Sequence, residues 1–105
     1  MNKYIGGWDP KTGKIYKEMN AQIDQAFANV DMNLKNAGCK GWEQVFCVRS
    51  YHVPLNDEAI QAMVRNLKKY TPNHQPIFTC VGVSKLGLDD MCVEIEVSAH
   101  DPQAK

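Results

Sequence analysis

The stretch "WEQVFCVRSYHVPLNDEAIQAMVRNLKKY", residues 42 to 70, changes periodicity once, and that change decides the fold. Residues 42 to 53 are rich in aromatic and β-branched side chains and lack a 3.6-residue repeat, so they read as a strand. Alternation places Phe46, Val48, Ser50 and His52 on one face, and Val45, Cys47, Arg49 and Tyr51 on the other. Apolar residues on both faces predict a central strand with one face at a subunit contact. Beyond Pro54 the pattern becomes helical. Asn56 is placed to cap the helix, Asp57 and Glu58 suit its N-terminal dipole, and Leu55 can staple onto its first turns. Ile60, Met63, Val64 and Leu67 form the expected buried stripe, and "TPNHQP" ends the helix.

Working outward, an earlier helix is expected from about Asn20. Ile23, Phe27, Val30 and Leu34 recur at spacings of four, three and four, and Gly38 follows as a stop. Ahead of it, "GGWDPKTGKIY" carries turn chemistry, with a short strand expected over Lys14 to Tyr16. Two strands are expected after the second helix, Ile77 to Val83 and Met91 to Ala99, joined by "SKLGLDD". In the last strand Val93, Ile95 and Val97 alternate with Glu94 and Glu96, whose face is either solvent or a polar cleft. The order strand, helix, strand, helix, strand, strand predicts an α+β fold. Its two helices would lie on one face of a mainly antiparallel or mixed sheet, leaving the other face in need of a partner.

The chain has 105 residues, which suits a single domain over residues 1–105, and 44% of them are hydrophobic, enough for a core. Twelve basic and twelve acidic residues cancel, which argues against nucleic acid as a partner, since phosphate binding needs clustered cations. Arg65, Lys68 and Lys69 fall within little more than a turn and read as a solvated helix face. No run reaches the ~18 apolar residues of a membrane span, and the N-terminus lacks the apolar core of a secretion signal. Cys39, Cys47, Cys80 and Cys92 lie far apart without zinc spacing. Separate reduced thiols in a cytoplasmic protein, with no metal and no cofactor, are the expectation.

Motifs for chemistry are sparse. There is no phosphate-binding glycine loop, nucleophile elbow or zinc-protease helix, and His52, His74 and His100 show no spacing logic. Glu94 and Glu96 sit at a spacing common for solvated glutamates. Cys80 would need a nearby base or positive field to act as a nucleophile, and Thr79 and Val81 supply neither. Phe78 stands two residues before Cys80, so the two side chains share a strand face.

Taken together, "GGWDPKTG", "AFANVDMNLKNAG", "VFCVRSYHVPLND", "QPIFTCVGVSKL" and "CVEIEVSA" resemble the YjgF/RidA family from Gly6 to Ala99. The resemblance implies a chorismate-mutase-like sheet with helices on one face. It also implies a homotrimer with sheets facing inward and a small-molecule cleft at each subunit interface. RidA-type members hydrolyse enamine and imine intermediates, using an arginine for the substrate carboxylate and a water held near a cysteine and a glutamate. Matched by position, the cysteine is Cys80 and the glutamate Glu94; the arginine position holds Phe78. Phe78, Thr79, Tyr51 and Trp8 are the expected ligand-cleft residues. The family's N-terminal strand is expected to be missing or shortened, its place taken by "KYI". The implied function is binding of a small ligand in the cleft without standard 2-imino-acid deaminase activity. The alternatives are imine hydrolysis by a water placed by Glu94 and Cys80, and the ribonuclease or translation-inhibitor activity attributed to some relatives.

Overall fold

The computed structural model describes residues 2–100, with side chains from residue 5 onward. The elements are β1 (Asn2–Gly6), α1 (Met19–Asn36), a 3-10 turn (Trp42–Gln44), β2 (Val45–His52), α2 (Asp57–Tyr70), β3 (Ile77–Gly82) and β4 (Val93–Ala99). The four strands form one mixed sheet in the order β1-β4-β2-β3. β4 pairs antiparallel with both β1 and β2, whereas β2 and β3 run parallel, which α2 allows as their crossover.

Both helices cover the same face. Val93, Ile95, Val97 and Ala99 from β4 meet Ile23, Phe27, Val30 and Leu34 from α1 in one buried cluster. The apolar alternation in β4 is thus one-sided, as expected, although Glu96 on the other face is also buried. Trp42 anchors the end of this core. Its ring stacks on Phe27 with centroids 4.6 Å apart, and its indole Nε1–H donates to the Phe27 carbonyl at 2.9 Å. That anchoring role explains why residues 42–44 form a turn rather than the start of the strand.

Other expectations shift in detail. A β-bulge between Val45 and Cys47 breaks the alternation, so Val45 is buried with Val48, while Phe46 is 53% exposed. On α2 the buried residues are Ala59, Ala62, Met63 and Asn66, with Ile60 and Val64 left exposed. The small Ala59 and Ala62 face inward, and Asn66 is buried because its amide donates to Asp24 at 2.8 Å and to the Ala62 carbonyl at 2.9 Å. Asn56 caps α2 as read, accepting from the Ala59 N–H at 2.9 Å. Lys14 to Tyr16 form no strand: the segment makes one bridge, Ile15 to Trp8, and the first strand is β1. β3 ends at Gly82, before Val83, and β4 starts at Val93, after Met91.

Residues 84–92, between β3 and β4, are tied down by a single side chain. Gln22 on α1 is buried, and its amide donates to the carbonyls of Tyr16 at 2.8 Å and Asp90 at 3.1 Å. Its carbonyl oxygen accepts from the N–H groups of Cys92 at 2.6 Å and Val93 at 3.3 Å.

Candidate functional site

Period-two alternation sorts the chemistry-bearing residues between the two faces of the sheet. The register pairs Arg49 with Glu96 and Tyr51 with Glu94 across β2 and β4, and Arg49 with Thr79 across β2 and β3. All five therefore share the face that no helix covers. Glu96 is buried there. The Arg49 guanidinium lies 3.4 Å from one of its carboxylate oxygens, and the Tyr51 hydroxyl donates to the other at 3.1 Å. A buried carboxylate needs such partners, and both of its oxygens have one.

Glu94 stands differently. Half-buried between two rows, it has no ion-pair or hydrogen-bond partner for its carboxylate among the described residues. Opposite it on β2 is Tyr51, and opposite it on β1 is Gly6. Gly6 gives Trp8 its place: a Cβ there would stand 2.7 Å from the Trp8 ring and 2.9 Å from the Met91 methyl. Because Ile5 points into the core, that Cβ direction lies on the open side. The Trp8 ring thus covers Gly6 beside Glu94. Asn29 on α1 holds this segment by donating to the carbonyls of Gly6 at 3.1 Å and Trp8 at 2.6 Å. The Asp9 turn that follows fixes its exit: the Asp9 carboxylate accepts from the N–H groups of Lys11 and Thr12, which hold it below its ordinary pKa.

Phe78 and Cys80 lie on the other face. β3 pairs Phe78 with Val48 and Cys80 with Ser50, both core-facing, and Phe78 packs partly buried against the core cluster. Cys80 and Glu94 therefore project from opposite sides of the sheet, with β2 between their strands. At the usual strand spacing this is roughly 10 Å of lateral separation. The structure brings together Trp8, Tyr51, Glu94 and, beyond Arg49, Thr79; it does not bring Cys80 or Phe78 to them within one chain.

Two features were not among the expected site residues. One is the pairing of Arg49 and Glu96 beside Tyr51, itself an expected cleft residue; its sequence signal is the matched alternation of R-x-Y in β2 with E-x-E in β4. The other is a buried pair on the helix-covered face: His52 Nε2 lies 2.8 Å from Ser50 Oγ, and His52 Nδ1 has no hydrogen-bond partner. Burial pushes the His52 pKa below its ordinary value and keeps the ring neutral. A surface groove of about 610 Å³ lies elsewhere, between α2 and residues 71–76, and no carboxylate lines it. Among the described residues no cluster suits a metal ion, and no helix is long and apolar enough to cross a membrane.

Comparison with known proteins places these residues in a family context. The family model described as endoribonuclease L-PSP matches residues 5–101. No curated protein matches the chain by sequence. Among solved structures, the Rid-family protein YyfB of unknown function from Yersinia pestis is 24% identical, with a TM-score of 0.80 over 93% of this chain and 77% of that one. The YjgF gene product of E. coli is 24% identical, with a TM-score of 0.79 over 92% and 76% of the two chains. E. coli TdcF, solved with bound serine, is 22% identical, with a TM-score of 0.79 over 94% and 78%.

Proposed function

The chain belongs to the endoribonuclease L-PSP family, the YjgF/YER057c/UK114 group, and from that premise we propose a RidA-like protein that binds a small molecule without standard 2-imino-acid deamination. The observation that carries this reading is Phe78. At the position where RidA-type members hold a carboxylate-binding arginine, this side chain offers neither charge nor donor and packs against the core. Loss of one partner of such a desolvated pair costs on the order of 2–5 kcal/mol, enough to suppress turnover of an acidic substrate. TdcF, solved with serine, is a precedent for a small occupant in this fold.

The cleft is proposed to form between subunits of a homotrimer. Phe46, Ile77 and Val81 are exposed apolar side chains on or beside the edge strand pair, Ile77 at 69%, and a second copy would cover them. Trp8, Tyr51, Phe78 and Thr79 are proposed as cleft residues, with Glu94 and Cys80 as its reactive groups. The test is a coupled assay in which a pyridoxal-phosphate dehydratase releases 2-aminoacrylate. Purified protein is expected to leave the rate of pyruvate formation at its spontaneous value; robust acceleration overturns the reading.

The second reading, hydrolysis of an imine by a water on Glu94, draws support from that carboxylate's unpaired state beside Tyr51. Activity that survives Glu94→Ala would refute it. Ribonuclease action has less support, because twelve cations balance twelve anions without a basic stripe.

A further inference from the structure

The open sheet face carries one guanidinium, Arg49, against two carboxylates, Glu94 and Glu96, on the strands β2 to β4. Arg49 is already committed to Glu96, which the Tyr51 hydroxyl also binds. Among the described residues of this face, the Glu94 carboxylate is the charged group without an ion-pair partner. On one side of it stands Tyr51 and on the other the Trp8 ring lying over Gly6. A carboxylate between two aromatic side chains is the arrangement that attracts a cationic nitrogen, through charge and through the negative faces of the rings, which act within ~6 Å of a cation.

We infer that the Trp8–Glu94–Tyr51 row is a subsite for a cationic nitrogen ligand, an ammonium or iminium compound without a carboxylate. This deepens the small-molecule reading given above and rests on it. It reverses the charge preference of a cleft built around an arginine. A ligand carboxylate would meet Glu94 as a like charge and would have to share the Arg49 guanidinium with the buried Glu96. An amine meets Glu94 as a counter-ion and needs no rearrangement of the Arg49–Glu96–Tyr51 network. Two separate features converge here: the Arg49 already paired with Glu96 and the aromatic flanks of Glu94.

The experiment compares benzylammonium with benzoate, two ring compounds of similar size and opposite charge, titrated separately into the ¹⁵N-labelled protein at neutral pH and low salt. The Trp8 indole N–H resonance reports the subsite, and the buried Trp42 indole reports that the fold is intact. Benzylammonium is expected to shift the Trp8 resonance to saturation and to bind at least tenfold more tightly than benzoate. Glu94→Gln, which keeps the shape of the side chain, is expected to weaken the amine at least tenfold with the Trp42 resonance unmoved; Trp8→Leu, followed by backbone amides of β4, is expected to weaken it severalfold. Equal or tighter binding of benzoate overturns the inference while leaving a small-molecule site in place. Amine binding that survives Glu94→Gln overturns it as well. Binding of neither probe overturns both the inference and the use of this face as a ligand site, whatever the dehydratase assay shows.

Discussion

Cys80 and Glu94, the two residues that the family pattern assigns to one water, project from opposite faces of the sheet, with β2 between their strands. Within one chain, residues on opposite faces at roughly 10 Å share no partner, and their effects on the stability of the single chain should add. In a double-mutant cycle of Cys80→Ala and Glu94→Gln, read by urea unfolding, the coupling is expected to be no more than about 0.5 kcal/mol. Tyr51 and Glu96 should behave oppositely. Tyr51→Phe leaves one oxygen of a buried carboxylate without its donor, at a cost of about 1–3 kcal/mol that largely disappears in the Glu96→Met background, where no acceptor remains.

His52 predicts a pH dependence. Burial holds its pKa below the ordinary 6.5, so the folded chain stays neutral where the unfolded chain takes up a proton. Its contribution to stability is therefore fully present above pH 6.5 and declines as pH falls from there toward the lower folded value. Urea unfolding of wild type and His52→Gln at pH 7.5 and 5.5 checks this: the variant, which can still bond Ser50, should show a smaller loss between the two.

Gln22 joins four backbone groups from two separate stretches, Tyr16 and residues 90–93. Gln22→Met preserves the volume but removes the partner of the buried Val93 N–H and of three part-buried backbone groups. A loss of about 3 kcal/mol or more is expected, since each buried unsatisfied group costs about 1–3 kcal/mol. Amide exchange at Cys92 should accelerate beyond what the global loss explains, because the N–H there loses its acceptor.

Gly6 and Gly7 should respond differently to alanine. A Cβ on Gly7 would collide with the backbone carbonyl of Gln22, which α1 holds rigid. A Cβ on Gly6 would meet the Trp8 ring and the Met91 methyl, both side chains that can move. Gly7→Ala is expected to cost at least about 2 kcal/mol, toward the upper range for overpacking. Gly6→Ala should cost less but displace Trp8, visible as a shift of its indole resonance with the Trp42 resonance unmoved.

The fold was readable where local chemistry and burial agree. β4 alternates cleanly because only one of its faces meets helices, and Asn56 caps α2 because the Asx side chain and the helix start are neighbours in sequence. Reading failed where a nonlocal contact decides. Phe46 was misplaced because the bulge after Val45 is a property of pairing with β4, which lies some fifty residues on. The stripe on α2 was rotated because apolarity singled out Ile60 and Val64, whereas close approach selects the small Ala59 and Ala62. The site suffered the same limit. Alternation within β2 and β4 was visible, but the register that sets Tyr51 against Glu94, and Trp8 over Gly6, belongs to the assembled sheet.

The position of β4 has a consequence for how the chain comes into being. Made after β1, β2 and β3, residues 93–99 lie inside the sheet, between β1 and β2, and β2 with β3 forms only a two-stranded parallel pair without them. Such a pair cannot support itself in water. During synthesis the growing chain therefore has helices but no complete sheet for them to cover until β4 emerges, and this core closes only then. A ribosome-stalled chain ending before Val93 should be protease-sensitive throughout, and one extended past Ala99 protected.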